Sequence, residues 1–171
     1  MENSSDLISL SYCSTATFDS GARRSGVDPE VNRILIRSRR NNRARSIGGV
    51  LHFGNGYFFQ YLEGPADEVD PLYARICRDE RHRDVQRLTR RSVPRRRFED
   101  WSMKFVAIES TVNAVLSRHG LKKFDPYEFT PALIDDLVVS VVAGPDHAPD
   151  AVARSDEPGR RNRSLWQRLF G

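Results

Sequence analysis

In the stretch YFFQYLEG, Gln60 stands alone among phenylalanines, tyrosines and a leucine. A carboxamide is a donor and an acceptor at once, so it can read or hold a polar edge that neither a carboxylate nor an aliphatic side chain could. Strand periodicity groups Phe58, Gln60 and Leu62 on one face and Tyr57, Phe59 and Tyr61 on the other. Both faces are apolar, and both are expected to be covered. An unpaired buried amide costs about 1–3 kcal/mol, while a paired one returns only about 0.5–1.5 kcal/mol. Gln60 must therefore be satisfied by protein groups, such as a neighbouring backbone or Tyr12, or by a ligand. Parity leaves both open. No nucleophile, base and acid set and no metal-ligand spacing accompanies it, so the sequence gives no support to a small enzyme.

Alternation of Ile8, Leu10 and Tyr12 with Ser9, Ser11 and Cys13 predicts a first strand. Asp28-Pro29 supplies an N-cap and a first helical residue, and Val31, Ile34, Leu35 and Ser38 continue a helix to about Asn41-Asn42. IGGVLHF and YFFQYLEG, joined by Gly54-Asn55-Gly56, predict a hairpin. A second helix follows with Val69, Leu72, Tyr73 and Ile76 on its stripe, and Pro71 is tolerable only near its first turn. VQRLTRRSV and WSMKFVAI predict strands four and five. The order β-α-β-β-α-β-β favours an α+β, ferredoxin-like sandwich with both helices on one sheet face. Beyond residue 108, STVNAVLSRHG and TPALIDDLVVSVVAG read as two cap helices, the second capped by Thr130 and carrying Leu133, Ile134, Leu137, Val138 and Val141 toward the other sheet face. The expected organisation is a domain over 1–108, cap helices over 109–143 and a disordered tail over 144–171.

The 171 residues suit one domain plus a tail, and 27 lysines and arginines against 23 aspartates and glutamates leave a net charge of +4. A charge of that size by itself identifies no partner. Cys13 and Cys77 read as ordinary buried thiols of a reducing compartment, and no targeting or membrane-spanning pattern is apparent, so the expected location is cytoplasmic.

Tyr12 near the end of strand one, the Asn41-Asn42 pair, the hairpin GVLHFGNGYFFQYLEG, the run ICRDERH, the His82–Val85 segment RHxDV and the W-x-M of Trp101 to Met103 stand in an order that resembles the BLUF family, blue-light sensors that use a flavin. The resemblance runs from about Leu7 to Ile108. It implies a non-covalently bound flavin, usually FAD in the family, with FMN as the alternative. It makes Tyr12 the electron and proton donor and Gln60 the hydrogen-bonding switch between Tyr12 and the flavin. By the same resemblance Asn42 holds the ring's polar edge with Asn41 beside it, Asp79, Arg81 and His82 lie along that edge and the ribityl chain, and Ile34, Leu35, Tyr73 and Ile76 form walls. Met103 and Trp101 become the strand-five residues that carry the signal outward.

Two departures accompany it. Where many members have a hydroxyl-bearing Thr-Gly pair, this chain reads Gly48-Gly49, which loses a hydroxyl and adds flexibility. The loop between Tyr12 and helix one is longer than usual.

With no room for a cyclase or phosphodiesterase domain after Gly144, the chain resembles the short members of the family, which act through an unidentified downstream protein or through their own oligomer. Leu165, Trp166, Leu169 and Phe170, flanked by arginines, form a candidate docking peptide. The competing class is a basic ferredoxin-like module binding nucleic acid or protein through RSRRNNRAR and RRSVPRRRF, with Tyr57, Phe59 and Tyr61 as stacking aromatics.

Overall fold

The structure is a computed structural model that describes residues 6–18, 28–100, 102–106 and 111–143. Its elements are β1 (Leu7–Ala16), α1 (Pro29–Arg43), β2 (Gly48–Gly54), β3 (Tyr57–Pro65), α2 (Ala66–Ile76), β4 (His82–Ser92), β5 (Lys104–Phe105), α3 (Thr111–Arg118), a 3-10 turn (Pro126–Glu128) and α4 (Pro131–Ala143). The five strands form one sheet in the order β4-β1-β3-β2-β5. The first four pair antiparallel, and β5 runs parallel to β2. This is the α+β ferredoxin-like arrangement that the element order predicts.

The parity of β3 divides the core in two. Phe58 and Leu62 join Ile8, Leu10, Tyr12, Val31, Leu35, Val69 and Met103 beneath α1 and α2. Phe59 and Tyr61 join Val50, Phe98, Val115, Leu116, Leu133, Ile134, Leu137, Val138 and Val141 beneath α3 and α4. Both faces of β3 are thus covered, as its composition requires. Phe59 is fully buried, with its ring 5.3 Å from that of Phe129, and Tyr61 packs on Phe98. Bases have no aromatic platform to stack on there, and the nucleic-acid reading loses its footing.

Capping explains where the helices begin. Asp28 accepts the amide of Glu30 at 2.8 Å to open α1, and Thr130 accepts that of Leu133 at 3.2 Å to open α4. Helix α2 differs from expectation. It begins immediately after β3, so Pro71 falls inside it instead of in the first turn, where one backbone bond is lost.

Strand five also differs. The alternation of WSMKFVAI predicts a full strand; among the described residues of that stretch, 102–106, Lys104–Phe105 pairs with β2. The reason lies in the preceding carbonyls: that of Ser102 accepts from Asn42 Nδ2 and that of Met103 from Arg39 Nε, each at 2.9 Å, so side chains of α1 take the place of a ladder. Trp101 and the tail over 144–171, including Leu165, Trp166, Leu169 and Phe170, lie outside the described residues.

Gly49 is a requirement of β2. Its φ is +150°, and a Cβ there would sit 2.0 Å from the carbonyl oxygen of Tyr61. One thiol is also corrected: Cys13 is buried, but Cys77, at the end of α2, is exposed. Among the described residues no helix is long and apolar enough to cross a membrane.

Candidate functional site

Residues directly opposite in an antiparallel pair share a face, and Tyr12 of β1 and Leu51 of β2 are both register partners of Gln60. That register brings the Tyr12 hydroxyl to Gln60 Oε1, to which it donates at 2.5 Å. The other end of the amide, Nε2, donates to Met103 Sδ at 3.3 Å. Tyr12 is 1% exposed, Gln60 4% and Met103 0%, so this Tyr–Gln–Met line is sealed from bulk water. A thioether is a weak acceptor, so the amide is held firmly at its oxygen and loosely at its nitrogen.

A cleft of about 270 Å³ lies between α1 and α2 with Gln60 in its lining. Helix α1 contributes Ile34, Arg37, Ser38, Asn41 and Asn42, and the segment from α2 onward contributes Leu72, Arg75, Ile76, Asp79 and Arg81. The spacing accounts for the grouping: Ile34, Ser38, Asn41 and Asn42 stand four, seven and eight residues along one face of α1, and Leu72, Ile76 and Asp79 repeat that pattern from α2. The lining joins aliphatic walls to three carboxamides, a composition suited to a flat ring with a polar edge.

The cleft's charged end is fixed by a short turn. Arg81 donates to Asp79 through its backbone N at 3.0 Å and through Nε at 2.9 Å, and its guanidinium also lies 3.5 Å from Glu30. The hydrogen bonding from Arg81 holds the Asp79 carboxyl down at about 2. Burial, assisted by the negative charge of Asp79, pushes the Tyr12 phenol well above its ordinary value, so it keeps its proton throughout the physiological range.

The cleft lining includes Ile34, Asn41, Asn42, Gln60, Asp79 and Arg81 among the residues singled out in the sequence. Tyr12 is placed behind Gln60 and reaches the cleft through it. Two of the expected cofactor contacts lie elsewhere. Leu35 packs in the core beneath α1, because its position on the helix faces the sheet. His82 opens β4, bonds Ser14 Oγ through Nδ1 at 2.8 Å and is held neutral, its value lowered by burial to about 4. Tyr73 likewise is not in the lining and instead meets Tyr12, ring centres 5.6 Å apart. Sequence reasoning gave no site role to Arg37, Ser38, Leu72 and Arg75, although it placed Ser38 and Leu72 on the helical stripes. Helical spacing from Ile34 and Ile76 was the signal that could have found them.

Known proteins resemble this chain in both sequence and fold. The family model described as "BLUF: Sensors of blue-light using FAD" matches residues 7–104. The chain is 32% identical over 100 residues to the blue light- and temperature-regulated antirepressor BluF of Escherichia coli K12, covering 56% of this chain and 25% of that protein. It is 30% identical over 152 residues to the photoactivated adenylate cyclase subunit beta of Euglena gracilis, covering 88% of this chain and 16% of the subunit. The chain therefore spans a quarter or less of the length of these two relatives. Among solved structures, the photo-activated state of BlsA superposes with a TM-score of 0.71 at 25% identity, over 81% of this chain and 96% of that one. The dark state of the BLUF protein BlrB gives 0.65 at 27% identity, over 81% and 97%.

Proposed function

The chain belongs to the BLUF family of blue-light sensors, and we propose that the cleft between α1 and α2 is where it holds its flavin, with Tyr12 and Gln60 as the light-driven switch. The observation that carries the reading is the Tyr12–Gln60–Met103 hydrogen-bonded line, whose middle member, Gln60, lines that cleft. The chain is a blue-light photoreceptor, and its action is sensing and not catalysis.

Ile34, Leu72 and Ile76 supply walls for the ring, Asn41, Asn42 and Gln60 supply donors and acceptors for its heteroatom edge, and Arg37, Arg75 and Arg81 supply cations for a phosphate. Bound flavin supplies absorption of blue light and an excited state that takes up an electron.

Everything else is done by the chain. The Tyr12 phenol is protonated and aimed at Gln60 Oε1, so an electron lost from its ring and the proton released with it along that hydrogen bond leave together, and both come back to the phenol before the lit state is complete. A half-turn of the Gln60 amide then exchanges its two ends. Nε2 comes to face the phenolic oxygen, which can accept, and Oε1 comes to face the Met103 sulfur, which cannot donate. The amide thereby keeps Tyr12 as its partner, now as donor instead of acceptor, and releases Met103 at the other end. Because only hydrogen bonds change, the output must be a packing element with two arrangements of similar free energy. The segment from Ser102 to Val106 is that element. Val106 donates its amide to Leu51 O at 3.0 Å, and its carbonyl accepts from buried His52, whose ring lies 4.4 Å from Phe124 under the cap helices.

The receiver is a downstream effector or a second copy of this chain, reached through the α3–α4 cap, in the cytoplasm. FAD is the resident flavin. Flavin released by heat denaturation of the purified protein is expected to co-chromatograph with FAD. Recovery of FMN alone would overturn the cofactor assignment, and failure of the protein to take up either flavin would overturn the site.

A further inference from the structure

Beside the switch, α1 grips the segment that the switch is to release. Asn42 Nδ2 holds the Ser102 carbonyl and Arg39 Nε holds the Met103 carbonyl, both at 2.9 Å. Asn42 also lines the cleft, but Arg39 does not. Arg39 stands three residues before Asn42 on the same helix, so the two donors lie one turn apart and reach adjacent peptide units. Met103 is thus held from two directions: its sulfur by the switching amide, its backbone by a cation that takes no part in lining the cleft.

We infer that Arg39 is a positioning residue of the photocycle: its Nε–H on the Met103 carbonyl holds strand five's leading residue in the dark arrangement and so sets how fast the lit state returns. The inference rests on the photoreceptor reading of the cleft. A charge-assisted hydrogen bond to a part-buried carbonyl is among the stronger ones a side chain makes, whereas the amide-to-thioether contact at the other end of Met103 is weak. The stronger hold therefore belongs to Arg39. It stabilises the dark arrangement selectively, because it requires the Met103 peptide to stay against α1. Because the contact re-forms as the Met103 peptide swings back against α1, removing it raises the barrier to the return as well as the dark state, and so slows the return.

The identity of the donor atom makes the test sharp. Nε is attached to Cδ, and in a glutamine side chain Nε2 occupies the same place along the chain. Lysine puts a methylene there and carries its ammonium one bond further out. If the hydrogen bond matters, glutamine rescues and lysine does not. If only the positive charge matters, the order reverses.

The experiment uses the full chain loaded with FAD, as wild type and as Arg39→Gln, Arg39→Lys and Arg39→Ala, with flavin loading and the size of the light-induced shift recorded for each. Recovery in the dark is expected to be about tenfold slower in Arg39→Ala and Arg39→Lys, the effect of about one ordinary hydrogen bond on a rate, and close to wild type in Arg39→Gln. A second readout needs no photocycle. The chain has 2 methionines, Met1 and Met103, so carbonyl-¹³C methionine places an infrared label on the peptide in question. The labelled band of the dark protein is expected to move to higher frequency in Arg39→Ala and Arg39→Lys and to stay put in Arg39→Gln. Unchanged recovery in Arg39→Ala, rescue by lysine and not by glutamine, or a labelled band that never moves would each overturn the inference. A wild-type protein that binds flavin but shows no light-induced shift would instead overturn the photoreceptor reading, with the infrared comparison still deciding the bond.

Discussion

Gln60→Leu is expected to bind flavin and stay folded while losing the red-shifted state altogether. Leucine is close to glutamine in volume and sits comfortably on a face shared with Phe58 and Leu62. The substitution leaves the Tyr12 hydroxyl without its buried acceptor, a cost of about 1–3 kcal/mol to stability. It also removes both ends of the amide, and with them any exchange of donor for acceptor. The measurement is the absorbance spectrum of the loaded variant before and after blue light. A variant that is yellow and spectrally inert supports the role given to Gln60; one that shifts and returns like wild type removes it.

The second large effect lies on the opposite face of the same strand. Phe59→Ala deletes a fully buried ring that packs on Phe129 between the sheet and α4. Truncation of a buried phenylalanine costs about 3–5 kcal/mol, partly in transfer and partly in the cavity left behind. Against a total stability of about 5–15 kcal/mol for a domain this size, the midpoint of urea unfolding should fall by a large fraction. Because Phe59 belongs to the cap-side core and Gln60 to the other, the folded fraction should keep its flavin spectrum. Unfolding followed by far-ultraviolet circular dichroism separates the outcomes. A loss below about 1 kcal/mol would mean that the cap does not pack on Phe59 as described.

These two neighbours also show what was legible in the sequence. Period-two alternation assigned Phe58, Gln60 and Leu62 to one face and Phe59 and Tyr61 to the other, and two separate cores occupy those faces. Strand and helix order, the cap of α1 at Asp28 and that of α4 at Thr130 were likewise visible, because each rests on local chemistry. Other features depend on partners far along the chain. Strand β5 begins only at Lys104 because Asn42 and Arg39, about sixty residues earlier, hold the two carbonyls before it. Leu35 and Ile34 are adjacent, equally apolar and both part of the core beneath α1, yet only the contact geometry of the helix gives Ile34 a place in the cleft lining as well. Nor does the sequence reveal why Gly49 must be glycine until β3 lies beside it and the place of its missing Cβ proves to be occupied by a carbonyl.

The site was half legible in the same sense. A buried amide demanded a partner, but the register of β1 against β3 was needed to bring Tyr12 to it, and the Met103 sulfur at its other end could not be inferred from spacing within either strand. What sequence motifs supplied was the kind of chemistry. The fold supplied the order of contacts, phenol to amide to thioether.

That order makes the central claim directly measurable. The purified full chain, loaded with flavin, is illuminated with blue light and its absorbance recorded during exposure and afterwards in the dark. The account predicts that the flavin bands move to longer wavelength without bleaching and return spontaneously. Bands that stay in place, or that bleach and do not recover, would contradict it.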